Sequence, residues 1–150
     1  MAAPISEGTL LWEPSEKMKQ QANITKYMQW LESEKGLHFD DSEKLWEWSV
    51  NNLEEFWASI WEYFQIKSSK PYSAVLLERK MPGAQWFPGA ELNYAEHVFR
   101  NATSSRPALL FQSETQPLTE ISWDELYQKV CTVAQALRTM GVQCGDRVVS

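Results

Sequence analysis

Glycine is scarce in this 150-residue chain, and its scarcity excludes the common phosphate-binding loops. The six glycines are isolated from one another, at positions 8, 36, 83, 89, 141 and 145. A phosphate-binding loop needs clustered glycines beside Ser, Thr or Lys, so that several backbone N–H groups can converge on the phosphate oxygens. Neither G-x-G-x-x-G nor G-x-x-x-x-G-K occurs. We therefore expect no phosphate-binding loop within these residues.

Cysteine is almost absent, which excludes a disulfide framework and the usual zinc patterns. Cys131 and Cys144 are the two cysteines, and their spacing matches neither a zinc motif nor a redox pair. Reduced thiols of a cytosolic protein are the expected state. Cys131 would need a base within hydrogen-bond reach to act as a nucleophile. Its place on a predicted amphipathic helix favours an inert, half-buried thiol.

Long apolar runs and an excess of positive charge are also missing. No apolar stretch approaches 18 residues, and Met1–Thr9 has neither the basic nor the apolar region of a signal peptide. The net charge is −6 and the pI about 5.0, without a basic stripe to displace counterions from nucleic acid. The composition predicts a soluble, cytoplasmic protein with no nucleic-acid or membrane partner. It predicts nothing about the oligomeric state.

Tryptophan, by contrast, is abundant and unevenly distributed. Seven of the eight tryptophans precede residue 87, at positions 12, 30, 46, 48, 57, 61 and 86. Aromatic side chains bury large areas, so this bias predicts an aromatic-rich helical layer followed by ordinary α/β sequence. Trp57 and Trp61 could stack on a sugar or a base, but their helical spacing with Ile60 and Phe64 favours a packed core.

Helical periodicity dominates the first part of the chain. We predict a short helix over about 15–22, which could continue into a helix over 24–35. Asn23 is the expected N-cap of the second helix, and Gly36 ends it.

Two further helices follow, each introduced by a capping pair. Asp40 with Glu43 predicts a helix start before Leu45, and Asn52 with Glu55 predicts a helix over about 53–65. Acidic side chains at 40–43 and 54–55 could be paired for acid–base chemistry. Their position at helix starts, where the helix dipole favours negative charge, indicates capping instead.

Strand signals appear only later. Residues 74–77 could form a short strand, and Asn93 with Glu96 predicts a short helix through about residue 101. The apolar runs at 108–111 and 118–121 predict a hairpin.

The last stretch of the chain combines one helix with the start of a strand. Ser122 and Glu125 form a capping box for a helix that ends at Gly141, and residues 147–150 begin a strand. A buried strand needs pairing partners, which this sequence does not supply. We therefore expect the chain to be a fragment of a longer one.

The two histidines are candidate site residues without a supporting pattern. His38 has Asp40 and Asp41 nearby, but the spacing suits a metal poorly and indicates a surface histidine. His97 follows Glu96, and adjacent residues of a helix do not face one another, so they form no catalytic dyad.

Three motifs together resemble a known family. Residues 81–96 place two large aromatics between Pro-Gly pairs, and 121–126 and 141–148 follow downstream. The combination resembles the opening of the AMP-forming acyl-CoA synthetases, within the adenylate-forming superfamily. Glu91 and His97 depart from the family pattern at positions expected on the surface.

The resemblance extends over about residues 11–149 and narrows the branch. The motifs at 86–90 and 92–96 are similar to the extension of acetyl-, propionyl- and acetoacetyl-forming enzymes. The runs at 45–50 and 55–57 are most similar to the acetoacetate branch. Trp86 to Gly89 could line an acyl or CoA pocket, but aromatics between Pro and Gly more often fill a groove between layers.

The resemblance implies a mixed α/β fold in two parts. Residues 1–100 would be a helical N-terminal extension and residues 101–150 the truncated start of the AMP-binding domain. The parent would be an acid–thiol ligase that uses ATP, CoA and Mg²⁺ with acetoacetate, and its partners would be small molecules. This segment would be scaffolding, with no catalytic, cofactor-binding or metal-binding residue of its own.

Two alternatives stay open. The parent could prefer acetate, propionate or an amino acid, because the residues of an acyl pocket are not recognisable here. The chain could also be a non-enzymatic, aromatic-rich binding module that presents tryptophans to a glycan or a partner helix.

Overall fold

The structure of the chain is a computed structural model that describes residues 6–149. It is rich in helix, with one small antiparallel sheet among the described residues, as the predicted mixed α/β class requires. Two compact units divide the chain, one ending at Glu91 and the other beginning at Leu92. The predicted domain division between residues 100 and 101 stays a prediction. In sequence order the elements are α1 Glu16–Gln21, α2 Asn23–Lys35, α3 Ser42–Asn51, α4 Leu53–Tyr63, α5 Tyr94–Phe99, β1 Leu109–Phe111, β2 Thr119–Ile121 and α6 Trp123–Thr139.

The core of the first unit lies between α2, α3 and α4. Tyr27, Leu31 and Leu45 are its buried apolar residues, and Leu31 is fully buried. The half-buried side chains packed around them are Met28, Trp30, Leu37, Phe39, Trp48, Phe56, Ile60 and Tyr63. The aromatic-rich helical layer predicted from the sequence is therefore present. Trp12 and Trp46, however, lie outside it, exposed to 67% and 62%.

One polar contact crosses this core. The Tyr27 hydroxyl and Ser59 Oγ are 2.6 Å apart, and Ser59 Oγ donates to the Phe56 carbonyl at 2.6 Å. Because the serine proton is used in that bond, the tyrosine donates to Ser59. Burial raises the pKa of Tyr27, while the bond to Ser59 opposes the rise. The hydroxyl therefore stays a neutral donor at physiological pH.

The start of α2 differs from the prediction. Ala22, with extended backbone, precedes the helix, and Asn23 is its first residue, so Asn23 is not the N-cap. The Lys19 carbonyl accepts from the Ala22 N–H and from the Thr25 hydroxyl, which turns the chain at Ala22. Helices α1 and α2 are therefore not continuous. The predicted stop is confirmed, because Gly36 has φ +67°.

In two of the predicted caps, the side chain makes a different local hydrogen bond. Asp41, and not Asp40, caps α3 by accepting from the Lys44 N–H at 2.9 Å, while Asp40 is bound by His38. Asn52 does precede α4, but its side chain donates to the Trp48 carbonyl at 3.2 Å and closes α3.

The end of α4 is also earlier than predicted. The helix ends at Tyr63, and Gln65 has φ +48°, a left-handed conformation that no helix can continue. Residues 74–77 form no strand, and their one bridge pairs Leu76 with Trp86.

The second unit follows the predicted order of elements closely. Asn93 caps α5 and Ser122 caps α6, through bonds from the N–H groups of Glu96 and Glu125. The predicted hairpin is confirmed as β1 and β2, with Leu109 opposite Ile121. Phe99 of α5 packs on Trp123 and Tyr127 of α6, with ring centroids 6.0 and 5.5 Å apart, and no residue of α5 or α6 is fully buried.

The last described residues differ from the prediction. Residues 147–149 form no strand, and Ser150 lies outside the described residues, as do Met1–Ile5. Val148 and Val149 are exposed, because among the described residues there is no neighbouring strand to pair with them. Within residues 6–149, none of the helices has the length and apolarity needed to cross a membrane.

Candidate functional site

The two sides of α4 pack against different partners, and the outer side forms the candidate site. Phe56, Ser59, Ile60 and Tyr63 face α2 and α3 in the core. Glu54, Trp57 and Trp61 recur at i, i+3 and i+7 on another stripe of the helix. This second stripe holds residues 68–91, which we call the aromatic loop.

Backbone bonds between its two arms close the aromatic loop. The Ser69 N–H donates to the Glu91 carbonyl at 2.9 Å, at the base of the loop. The Phe87 N–H donates to the Val75 carbonyl at 2.8 Å, and the Leu77 N–H to the Gln85 carbonyl at 3.0 Å. The loop therefore has the shape of a narrow hairpin, although its pairing is limited to isolated bridges.

Ring contacts hold the loop on α4. Trp86 meets Trp57 edge to face, with centroids 5.6 Å apart, and Phe87 meets Trp61 at 4.7 Å. Tyr72 on the opposite arm contacts both Trp61 and Phe87 at 5.1 Å. Such pairs contribute about 0.5–1.5 kcal/mol each beyond their burial. The prediction that Trp86 and Phe87 serve packing is in accord with these contacts.

Two ion pairs fix the loop beside these rings. The Arg79 guanidinium donates to both oxygens of Glu54, at 3.3 and 2.5 Å. The bond from Arg79 holds the pKa of Glu54 below its ordinary value, and a backbone bond at Glu54 adds to the effect. Lys70 Nζ lies 2.6 Å from Glu91 Oε1 at the base of the loop. Glu91, which departs from the family pattern, is thus an exposed residue that closes the loop.

Trp57 is less buried than the sequence predicts. It is 38% exposed and Trp86 is 41% exposed, because the loop covers the stripe on one side only. The periodicity of α4 could not separate its two apolar stripes. Arg79 was missed altogether, since its partner Glu54 is 25 residues away and no local pattern joins them.

The histidines do not assemble a metal or catalytic site. His38 is exposed, and its two ring nitrogens lie 2.9 Å from Glu32 and 3.3 Å from Asp40. These carboxylates raise the pKa of His38, the bond to Glu32 contributing most. His97 lies 2.9 Å from the Arg100 guanidinium through Nδ1, so that nitrogen is an acceptor.

Residues 6–149 contain no metal cluster, and both cysteines are free thiols. No group of three or more His, Cys, Asp or Glu side chains there could hold a metal ion. Cys131 and Cys144 are free and exposed, so the predicted half-burial of Cys131 is wrong. Cys131 lies on an open side of α6. Its bond with the Tyr127 side chain raises the pKa of Tyr127.

A groove in the second unit has the size but not the charge of a phosphate site. Residues 102–107, 120 and 122–125 line about 790 Å³ of space. Arg106 stands there against Glu120, Asp124 and Glu125, so negative charge is in excess. The groove therefore does not suit ATP or the phosphates of CoA.

The first comparison with known proteins matches the middle of the chain to a family. Residues 42–98, which include α3, α4, the aromatic loop and most of α5, match the family described as "Acetyl-coenzyme A synthetase N-terminus". This match agrees with the resemblance to the AMP-forming acyl-CoA synthetases over 57 of the 150 residues.

The similarity to individual proteins is more specific. The acetoacetyl-coenzyme A synthetase of Rhizobium meliloti is 32% identical over 93% of this chain and 21% of its own length. That of Danio rerio is 34% identical over 97% of this chain and 22% of its own length. A solved structure, acetoacetyl-CoA synthetase from Streptomyces lividans, is 43% identical with a TM-score of 0.84, over 92% of this chain and 22% of that one.

These similarities cover nearly all of the chain but little of its relatives. The chain corresponds to an N-terminal segment of acetoacetyl-CoA synthetase and spans about a fifth of the length of the relatives it matches.

Proposed function

We propose that the chain is the N-terminal scaffold of an ATP-dependent acetoacetate–CoA ligase. In the parent enzyme, acetoacetate and ATP would form an acyl-adenylate with release of pyrophosphate, and the thiol of CoA would then displace AMP. The observation that carries the proposal is the extent of similarity. The acetoacetyl-CoA synthetases match 93–97% of the chain, whereas the acetyl-coenzyme A synthetase of Cupriavidus taiwanensis matches 65%.

The described residues support a scaffolding role, with the chemistry housed elsewhere in the parent. Residues 6–149 offer no cluster for Mg²⁺, and the glycines are too scattered to form a phosphate-binding loop. We therefore propose that ATP, CoA and Mg²⁺ bind outside this segment and that it contains no catalytic residue. The two free cysteines are in keeping with a cytoplasmic parent.

Pyrophosphate exchange by the full-length parent tests the substrate. We expect labelled pyrophosphate to enter ATP when acetoacetate is supplied, and much less when acetate or propionate replaces it. Equal exchange with all three acids would overturn the choice of acetoacetate. Absence of exchange with any acid would refute the assignment as a ligase.

The alternative of an aromatic binding module makes a different prediction. Trp12 and Trp46 are exposed to 67% and 62%, as a display surface requires. A module would bind its glycan or helix through these indoles with no need of further sequence. Acrylamide quenching in the full-length parent separates the readings, because a scaffold should shield most indoles and a module should leave them accessible.

A further inference from the structure

We propose that the outer face of the aromatic loop is the surface through which this unit docks on the remainder of the parent enzyme. The face comprises Trp57 of α4 and Trp86 of the loop, whose rings meet edge to face. This inference rests on the proposed function and specifies which surface carries the scaffolding.

The face is exposed although the loop beneath it is firmly held. Trp57 and Trp86 are 38% and 41% exposed. Trp61, Tyr72 and Phe87, which also hold the loop on α4, are in contrast half-buried. The molecule therefore orders this pair of indoles without covering them fully.

The charges around the face are already neutralised within the unit. Arg79 is paired with Glu54, and Lys70 is paired with Glu91. A partner could therefore cover the face without leaving an unpaired charge buried, which is the usual cost of an interface. Trp, Met and Arg are also the residues enriched where protein surfaces meet, and Trp most often anchors them.

The length of the relatives identifies the occupant. The chain covers 22% of the solved Streptomyces lividans enzyme. Over 92% of the chain, the two structures share the same fold. In such an enzyme, most of the chain lies outside the segment and is available to cover the face. A second copy of this chain is the competing occupant.

Hydroxyl-radical footprinting of the full-length parent and of the 150-residue chain tests the proposal. In the parent, we expect the oxidation rates of Trp57 and Trp86 to fall roughly fourfold, because indoles now about 40% exposed would become buried. Trp30 is the control, because it packs against Tyr27, Tyr63 and Lys35 within the unit. Its oxidation rate should therefore be the same in both proteins. Equal rates for Trp57 and Trp86 in both proteins would overturn the proposal.

A concentration series identifies the competing occupant. If Trp57 and Trp86 become protected in the 150-residue chain as its concentration rises, and gain nothing in the parent, the face binds a second copy and the proposal fails. Footprinting and pyrophosphate exchange fail independently. An active ligase without protection refutes the docking surface alone, and protection without exchange refutes the ligase alone.

Discussion

The buried bond between Tyr27 and Ser59 leads to an asymmetric prediction for two conservative substitutions. Ser59→Ala leaves the Tyr27 hydroxyl without an acceptor in a site where the two residues are 5% and 3% exposed. Tyr27→Phe removes the donor but leaves Ser59 bonded to the Phe56 carbonyl. An orphaned buried donor costs about 1–3 kcal/mol, whereas a lost bond with no orphan costs about 0.5–1.5 kcal/mol.

A helix control isolates that cost. Ser33 on α2 is exposed and bonds to the carbonyl three residues earlier, as Ser59 does. Ser33→Ala therefore carries the same local change and the same gain in helix propensity, up to about 0.5 kcal/mol. The excess destabilisation of Ser59→Ala over Ser33→Ala should be about 1–3 kcal/mol.

Urea unfolding followed by tryptophan fluorescence measures the effect, because seven of the eight tryptophans precede residue 87 and report the first unit. The double variant Tyr27→Phe with Ser59→Ala should be more stable than Ser59→Ala alone, since neither partner is then left unsatisfied. A Ser59→Ala chain as stable as Ser33→Ala, or a double variant showing the sum of both losses, would refute the reasoning.

Three further predictions concern the core, a pH-dependent contact and ligand binding. Leu31→Ala should lower the free energy of unfolding by about 3–5 kcal/mol in the same assay, because Leu31 is fully buried. Leu10→Ala, at a position that is 75% exposed, should lower it little. Equal losses for the two variants would contradict the assigned core. Glu32 and Asp40 raise the pKa of His38 in the folded state. The stabilisation from these contacts is therefore present below the unfolded pKa of about 6.5 and is lost as the pH rises through the folded pKa. NMR titration should show the raised pKa, and His38→Gln should remove this pH dependence of stability. Calorimetry should detect neither ATP nor CoA binding to the 150-residue chain, and micromolar affinity for either would reveal a site among residues assigned to scaffolding.

The sequence predicted the end of an element correctly where residues at that end determine it. Ser122 caps α6 because Glu125 supplies the N–H three residues later, and Gly36 ends α2 because glycine adopts the left-handed conformation without strain. The hairpin of β1 and β2 likewise depends on two apolar runs joined by a short polar segment.

The two wrong cap predictions share a different cause, which is a competing hydrogen bond with a nearby residue outside the capping pattern. Asp40 was a reasonable cap for α3 until His38 bound it, which left the role to Asp41. The Asn52 side chain bonds to the end of α3 instead of the start of α4. In each case the capping pattern was present, but a second nearby partner took the side chain instead.

The candidate site was predictable in kind but not in geometry. The Pro-Gly pairs around Trp86 and Phe87 correctly indicated aromatics that pack on another layer. Which layer receives them depends on the second stripe of α4, and the Arg79–Glu54 pair spans 25 residues of sequence. Periodicity identifies an apolar face but not the segment that covers it, because that choice is made by long-range contacts.

The paired arms of the aromatic loop make its tip a natural point for variation in length. The Leu77 N–H bonds to the Gln85 carbonyl, so the ends of the segment 78–84 are held together whatever lies between them. Lengthening a closed loop is inexpensive, about 0.6 kcal/mol for each doubling. In the 150-residue chain, a peptide tag inserted after Gly83 should therefore leave the rings on α4 undisturbed, which makes this tip a convenient place for a reporter.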